Sequence, residues 1–308
     1  MKMNIISSSS LFILMAIIAF STPSCKGKEN PVPENAFVTF TAGDVQISYP
    51  NTENRPLQLK EAVKTGAVIV TGNKSCATLQ ILKTGLVRIS ENTVLRADQI
   101  LSPGKGTVLN LKTGKAFSKI LKNKGTRYSV YTRTCVAAVR GTEFMVIASP
   151  KGRSRIMVRN GVVAVSAKSG TTEKDVTADT SALVDITGDI RLVQQNSVEK
   201  LELEKYSLQP YIENVDKAGI QEIEAGFKEI EPAEQEVQKK IEKLKLLRLS
   251  PLDRLRKKGL SLVKLYVKDG SQLMGAIEKI TPNEVYLNTG ESVITIPKNE
   301  IRRRENAK

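Results

Sequence analysis

The chain has 308 residues, room for two domains, with 40% hydrophobic residues, 5% aromatic ones and no Trp, so any core must be built mainly from Val, Ile and Leu. It contains no His, which removes imidazole acid–base catalysis, His metal ligands and Ser-His or Cys-His nucleophile pairs. The net charge of +15 is uneven: residues 26–198 hold 25 Lys/Arg against 13 Asp/Glu, whereas residues 199–258 hold 13 of each. A basic body of this kind suits anionic polymers or lipid headgroups, and it equally describes a Lys-rich solvated surface.

Residues 1–25 read as a targeting segment. Lys2 precedes an apolar run at 11–20 (LFILMAIIAF), which has the length of a signal-peptide core and is short for a membrane span. The run leads into STPSC, which resembles a bacterial lipobox with Cys25 as the lipid-modified residue, although Thr22 and Pro23 depart from the usual pattern. Ordinary signal cleavage and an uncleaved anchor are the alternatives. Residues 26–36 are polar with two prolines and read as a flexible tether.

From residue 37 to 195 the dominant period is two, the mark of strands. Hairpin turns are predicted at Ala42–Gly43, Thr84–Gly85, Thr113–Gly114, Asn160–Gly161 and around Gly188. Asn160–Gly161 carries the strongest signal, because tight primed turns need positive φ. Many short strands with Gly turns and no helical pattern predict an all-β solenoid or sandwich.

Two segments carry a family resemblance. Residues 62–97 (AVKTGAVIVTGNKSCATLQILKTGLVRISENTVLRA) and 128–146 (YSVYTRTCVAAVRGTEFMV) resemble the FecR domain, and Val139, Arg140, Gly141, Thr142, Glu143 and Phe144 match the core of its second motif. Ala67, Arg133 and Lys83–Thr84 depart from the family pattern. The resemblance implies an envelope-located β-fold with an interaction role. Within the hexad, Gly141 suits a bulge or tight bend, with Arg140 and Glu143 satisfying backbone groups or each other; this structural role is preferred to a functional one. Cys76 and Cys135 lie in strand-like runs and read as buried free thiols, with a disulfide between them as the alternative.

Residues 198–258 switch to a charged amphipathic helical connector. Ile220, Ile223, Phe227, Ile230, Val237, Ile241 and Leu244 follow a three-four rhythm, which fits either a coiled coil that makes homo-oligomers through residues 220–248 or a helix laid on the β-body. Pro232 is expected to kink or restart this helix. Residues 260–304 return to period two, with turns at Asp269–Gly270 and Thr289–Gly290, and resemble a small SH3-like or Sm-like barrel. Arg302, Arg303 and Arg304 read as a solvated terminus.

No nucleotide loop, nucleophile elbow, CxxC or paired-carboxylate motif is found, and the GxG in SPGKGT (102–107) lacks the strand–helix setting of a phosphate loop. The sequence therefore predicts a mainly β, non-enzymatic protein without metal, cofactor or nucleic-acid partner. The leading expectation is a membrane-anchored envelope lipoprotein, facing the periplasm or the cell surface, that binds or scaffolds an envelope macromolecule such as an anionic glycan or protein. The alternatives are a transmembrane signalling regulator of the founding FecR, anti-sigma kind and an adhesin-like surface protein.

Overall fold

Alternation of Val, Ile and Leu with polar residues folds the β-rich stretch into two ladders that share one long strand. The computed structural model describes residues 36–102, 106–122, 127–170 and 172–307. Cys25, the targeting segment, the tether up to residue 35 and most of the GxG lie outside them.

The chain begins with β1 (Ala36–Ala42) and β2 (Val45–Ser48), then two short bridges, β3 (Arg55–Pro56) and β4 (Ala62–Val63). Next come β5 (Val68–Thr71), β6 (Cys76–Ile81), β7 (Gly85–Ile89), β8 (Thr93–Ser102) and the 15-residue β9 (Gly106–Ile120). After it follow β10 (Tyr128–Tyr131), β11 (Cys135–Val139), β12 (Glu143–Ala148) and β13 (Ser154–Asn160). The body closes with β14 (Val162–Ala167), β15 (Glu173–Thr177), β16 (Thr180–Val184) and β17 (Ile190–Gln194).

In the first ladder the order is β4-β1-β6-β7-β9-β12-β13-β16-β17. In the second it is β3-β2-β5-β8-β9-β10-β11-β14-β15. Strand β9 belongs to both: up to Thr113 it pairs with β8 and β10, and from Gly114 onward with β7 and β12. The corner is Gly114, at φ +97°, where a Cβ would lie 2.1 Å from Thr93 Oγ1. Only glycine fits that conformation and that gap. Residues from both ladders, among them Ile47, Ile69, Leu79, Leu95, Leu111, Phe144, Ile156 and Val165, make one hydrophobic core.

Three of the expected hairpins are therefore not hairpins. At Thr113–Gly114 the strand bends and continues. Gly43 lies between β1 and β2, and Gly161 between β13 and β14, yet neither pair of strands is hydrogen-bonded; each glycine passes the chain from one ladder to the other. A positive-φ glycine supplies the bend for either route, and the destination is set by which ladder buries the next strand's apolar face. The turns at Gly85 and Gly188 do close hairpins, β6–β7 and β16–β17.

Strands β6 and β7 are buried along almost their whole length, on both faces. The outer face of the first ladder is covered by α1 (Ser197–Ser207), the segment 208–219 and α2 (Ile220–Leu247). Asn196 caps α1 in a capping box with Glu199, and Glu199 also pairs with Arg155 of β13 at 2.6 Å. Leu203 and Tyr206 of α1 pack on Phe117, Met145 and Met157.

Most of the apolar stripe of α2 is covered within the chain, although Ile220 at its start is exposed. Ile223, Phe227 and Ile230 meet Phe37, Phe40, Leu59 and Leu82, while Val237, Ile241 and Leu244 meet Val198, Leu201 and Leu208. Pro232 does not restart α2, which runs unbroken for 28 residues. Proline cannot donate to the carbonyl four residues back, at Lys228. Both residues are exposed, so water can satisfy that carbonyl.

After α3 (Pro251–Lys257), which starts on a Ser250 cap with proline in its first turn, five strands form a separate sheet. These are β18 (Leu262–Val267), β19 (Gln272–Ile280), β20 (Glu284–Asn288), β21 (Val293–Pro297) and β22 (Ile301–Asn306), in the order β21-β20-β19-β18-β22. The strand count and both turns follow the sequence pattern. The expected closed barrel does not form: among the described residues no pairing joins β21 to β22. Arg302, Arg303 and Arg304 are exposed, as expected of a solvated terminus, and form part of β22, which aligns against β18.

Candidate functional site

The face of the first ladder under α1 and α2 carries polar side chains where a strand buried on both sides would ordinarily be apolar. Thr78, Gln80 and Arg88 all point out of β6 and β7 toward the helical segment, and all are buried. Gln80 grips the backbone of this helical segment, residues 197–247, which forms a strap over the ladder: its Nε2 donates to the Ile212 carbonyl at 2.5 Å and its Oε1 accepts from the Ile212 N–H at 2.8 Å. Gln209 Oε1 accepts from Thr78 Oγ1 at 3.1 Å and from Arg88 Nη1, while Gln209 Nε2 donates to Glu234 of α2. One amide thus links a cation on the body to a carboxylate on the strap. Buried polar groups are costly unless they are paired, so this network fixes one position of the strap on the ladder.

Aromatic rings surround the same point. The Arg88 guanidinium lies 5.1 Å from the Phe40 ring centre and 6.0 Å from that of Tyr206. Phe40 stacks on Phe227 of α2 at 4.9 Å, and the Tyr206 hydroxyl lies 3.0 Å from Ser90 Oγ. Burial pushes the Tyr206 phenol upward, opposed by the Ser90 bond and the Arg88 charge. Beside this cluster, between β1 and α2, opens a cleft of about 880 Å³.

The residues singled out in the sequence lie elsewhere. Val139 ends β11, and Glu143 and Phe144 open β12, so the hexad is the corner where the chain leaves the second ladder for the first. Gly141 has φ +70°, and a Cβ there would sit 2.3 Å from Lys122 Cγ. Thr142 is buried and its carbonyl accepts from the Ile120 N–H; Phe144 meets the Tyr128 ring edge-on at 6.2 Å. Of the two roles expected for Arg140 and Glu143, pairing with each other is not seen: Arg140 is exposed, and Glu143 pairs with Arg159 of the neighbouring β13 at 2.9 Å. Cys76 and Cys135 are free thiols on different ladders. Cys76 Sγ lies 3.5 Å from Arg88 Nη2, whereas Cys135 is fully buried beside Thr132, and burial raises its thiol.

Arg88, Gln80 and Gln209 were not singled out from the sequence. Gln80 and Arg88 sit at alternate positions of strands that read as half-buried, where polar residues signify a solvent face. Gln209 precedes Pro210 in a break between helices and reads as loop. Among the described residues no group of three Cys, Asp or Glu could hold a metal ion, and no helix is long and apolar enough to cross a membrane.

Residues 67–164 match the FecR protein family model. The matched span runs from just before β5 into β14 and includes the whole of β9, so it covers the centre of both ladders. No curated protein matches the chain. Two crystal structures of a proposed anti-sigma factor from Parabacteroides distasonis ATCC 8503, at 1.65 Å and 2.50 Å, are similar to it at 18% identity and a TM-score of 0.38. The alignments cover 46% of this chain and 63% and 62% of theirs, so the chain spans less than two thirds of those proteins.

The FecR match corrects the function first expected. FecR proteins are membrane-associated envelope proteins, generally non-enzymatic, and their founding members are signalling regulators. The scaffold reading rested on the signal segment, the FecR-like segments and the lack of catalytic motifs, and the FecR match favours the signalling alternative instead. The scaffold reading is set aside.

Proposed function

We propose that this chain is a signalling regulator of the FecR, anti-sigma kind, in which the β-body takes up an envelope signal and the strap 197–247 passes it to a partner. The FecR match over residues 67–164 is the observation that carries this reading. The polar contacts from Gln80, Arg88 and Thr78 to the strap support the second half, because directional bonds added to apolar packing favour one position of the strap over others. In this reading the corner at Val139–Phe144 is structural, and lipidation of Cys25 keeps the chain at the membrane.

The test is a comparison of genome-wide transcript levels in host cells with and without the chain. A discrete set of transcripts, restored by re-expression, is expected to change several-fold. Unchanged transcription in cells that instead lose envelope integrity would overturn the reading.

A further inference from the structure

The cleft between β1 and α2 has the features of a small-molecule site, and Arg88 identifies the class of ligand. Its volume of about 880 Å³ falls in the range of about 300–1,000 Å³ that such pockets occupy. Arg88, at its base, is only 8% exposed. A buried arginine is normally paired with a carboxylate, since an unpaired interior charge is strongly disfavoured. Here, among the described residues, no carboxylate pairs with it. Nη1 donates to the neutral amide of Gln209, Nη2 faces Cys76 Sγ, and Nε has no partner. Glu234 is reached only through the Gln209 amide, and the faces of Phe40 and Tyr206 offset part of the charge.

We propose that the cleft binds a small amphiphilic monocarboxylate, its carboxylate on the Arg88 guanidinium and its apolar body against Phe40, Leu59 and Phe227. The guanidinium fork matches a carboxylate in two parallel bonds, which a neutral group cannot reproduce. The rest of the lining narrows the class further: Glu224, Glu231, Glu234 and Glu242 of α2 share it with Lys228 and Lys239 of α2 and Lys205 of α1, so beyond Arg88 the cleft has no excess positive charge to offer a nucleotide, a polyphosphate or an acidic glycan. One negative charge and a modest apolar surface fit both the base and the mouth. This binding is read on purified protein and stands whether or not the signalling reading does.

The experiment is calorimetric titration of the full chain with phenylacetate as probe, with phenylacetamide as its neutral analogue and inorganic phosphate as a compact anion. Saturable binding of phenylacetate with a Kd below about 1 mM is expected, and binding at least about tenfold weaker for the two comparators. Arg88→Lys keeps the charge but loses the fork, and is expected to weaken phenylacetate about tenfold or more. Leu59→Trp fills the cleft while leaving Arg88 in place and is expected to abolish binding; it serves as the test should Arg88→Lys not fold. No saturable binding by the folded protein, equal or tighter binding of either comparator, or wild-type affinity in Leu59→Trp would each overturn the proposal.

Discussion

The side chain of Gln80 pairs with the backbone of Ile212 through both of its amide atoms, as a neighbouring strand would. The strap is therefore joined to the first ladder by a copy of the ladder's own hydrogen bonding, supplied by one side chain. Replacing Gln80 by Ala leaves the Ile212 N–H and carbonyl buried without partners, at about 1–3 kcal/mol for each unsatisfied group. Gln80→Ala is expected to stay folded while amides near Ile212 exchange faster with deuterium. Protection in β14 and β15 of the second ladder should be unchanged. Wild-type protection at Ile212 in the variant would show that the amide does not hold the strap.

Gly114 is the corner at which β9 changes ladder, and it combines positive φ with a missing Cβ against Thr93. Gly114→Ala carries about 1–2 kcal/mol for the left-handed conformation and a steric clash besides. Gly270→Ala is the matched control: φ is +90°, but nothing lies within 4 Å of a Cβ there. Urea unfolding is expected to show Gly114→Ala as clearly the more destabilised of the two. Equal losses would mean that the corner relaxes around an added methyl.

The two described thiols should differ in reactivity. Cys135 is buried, and burial holds its thiol above the ordinary range, while Cys76 is half-buried. Alkylation of native protein, followed by peptide mapping, is expected to label Cys76 first and Cys135 only on unfolding. Early labelling of Cys135 would contradict the packing of the second ladder.

Arg55 and Glu61 tie the loop between β3 and β4. Partial burial pushes the Glu61 carboxyl up, but the Arg55 guanidinium and the Gln58 N–H outweigh it and leave the carboxyl lowered. A group with a depressed folded pKa contributes stability above its unfolded value, about 4.3 for Glu, and loses it as pH falls through the folded one. Arg55 is about half exposed and solvent screens its charge, so the effect is small. Glu61→Gln is expected to melt slightly below wild type near neutral pH, with the gap closing as pH falls below the ordinary Glu range. A gap that widened in acid would reverse the sign of this interaction.

The β character of the body was legible because alternation survives wherever one strand face meets the core, and a bend at Gly141 was legible because a glycine there interrupts two apolar runs. Pairing was not. Gly43 and Gly161 look like hairpin turns because the bend they make is local, whereas the choice between the adjacent strand and the other ladder depends on contacts far along the chain. The strap was half legible: the spacing of Ile223, Phe227, Val237 and Ile241 gives an apolar stripe but does not say what covers it. The polar contacts at Gln80, Arg88 and Gln209 were hidden, since an outward polar residue in a strand looks the same whether water or a helix lies above it.

The strap variant also offers the most direct test of the signalling account. Transcript levels would be measured in cells carrying Gln80→Ala at wild-type protein abundance, beside wild-type cells and cells lacking the chain. The transcripts that respond to loss of the chain are expected to shift in the Gln80→Ala cells as well, because the strap is released there. A wild-type transcript profile in those cells, with deuterium exchange showing the strap released, would contradict the account.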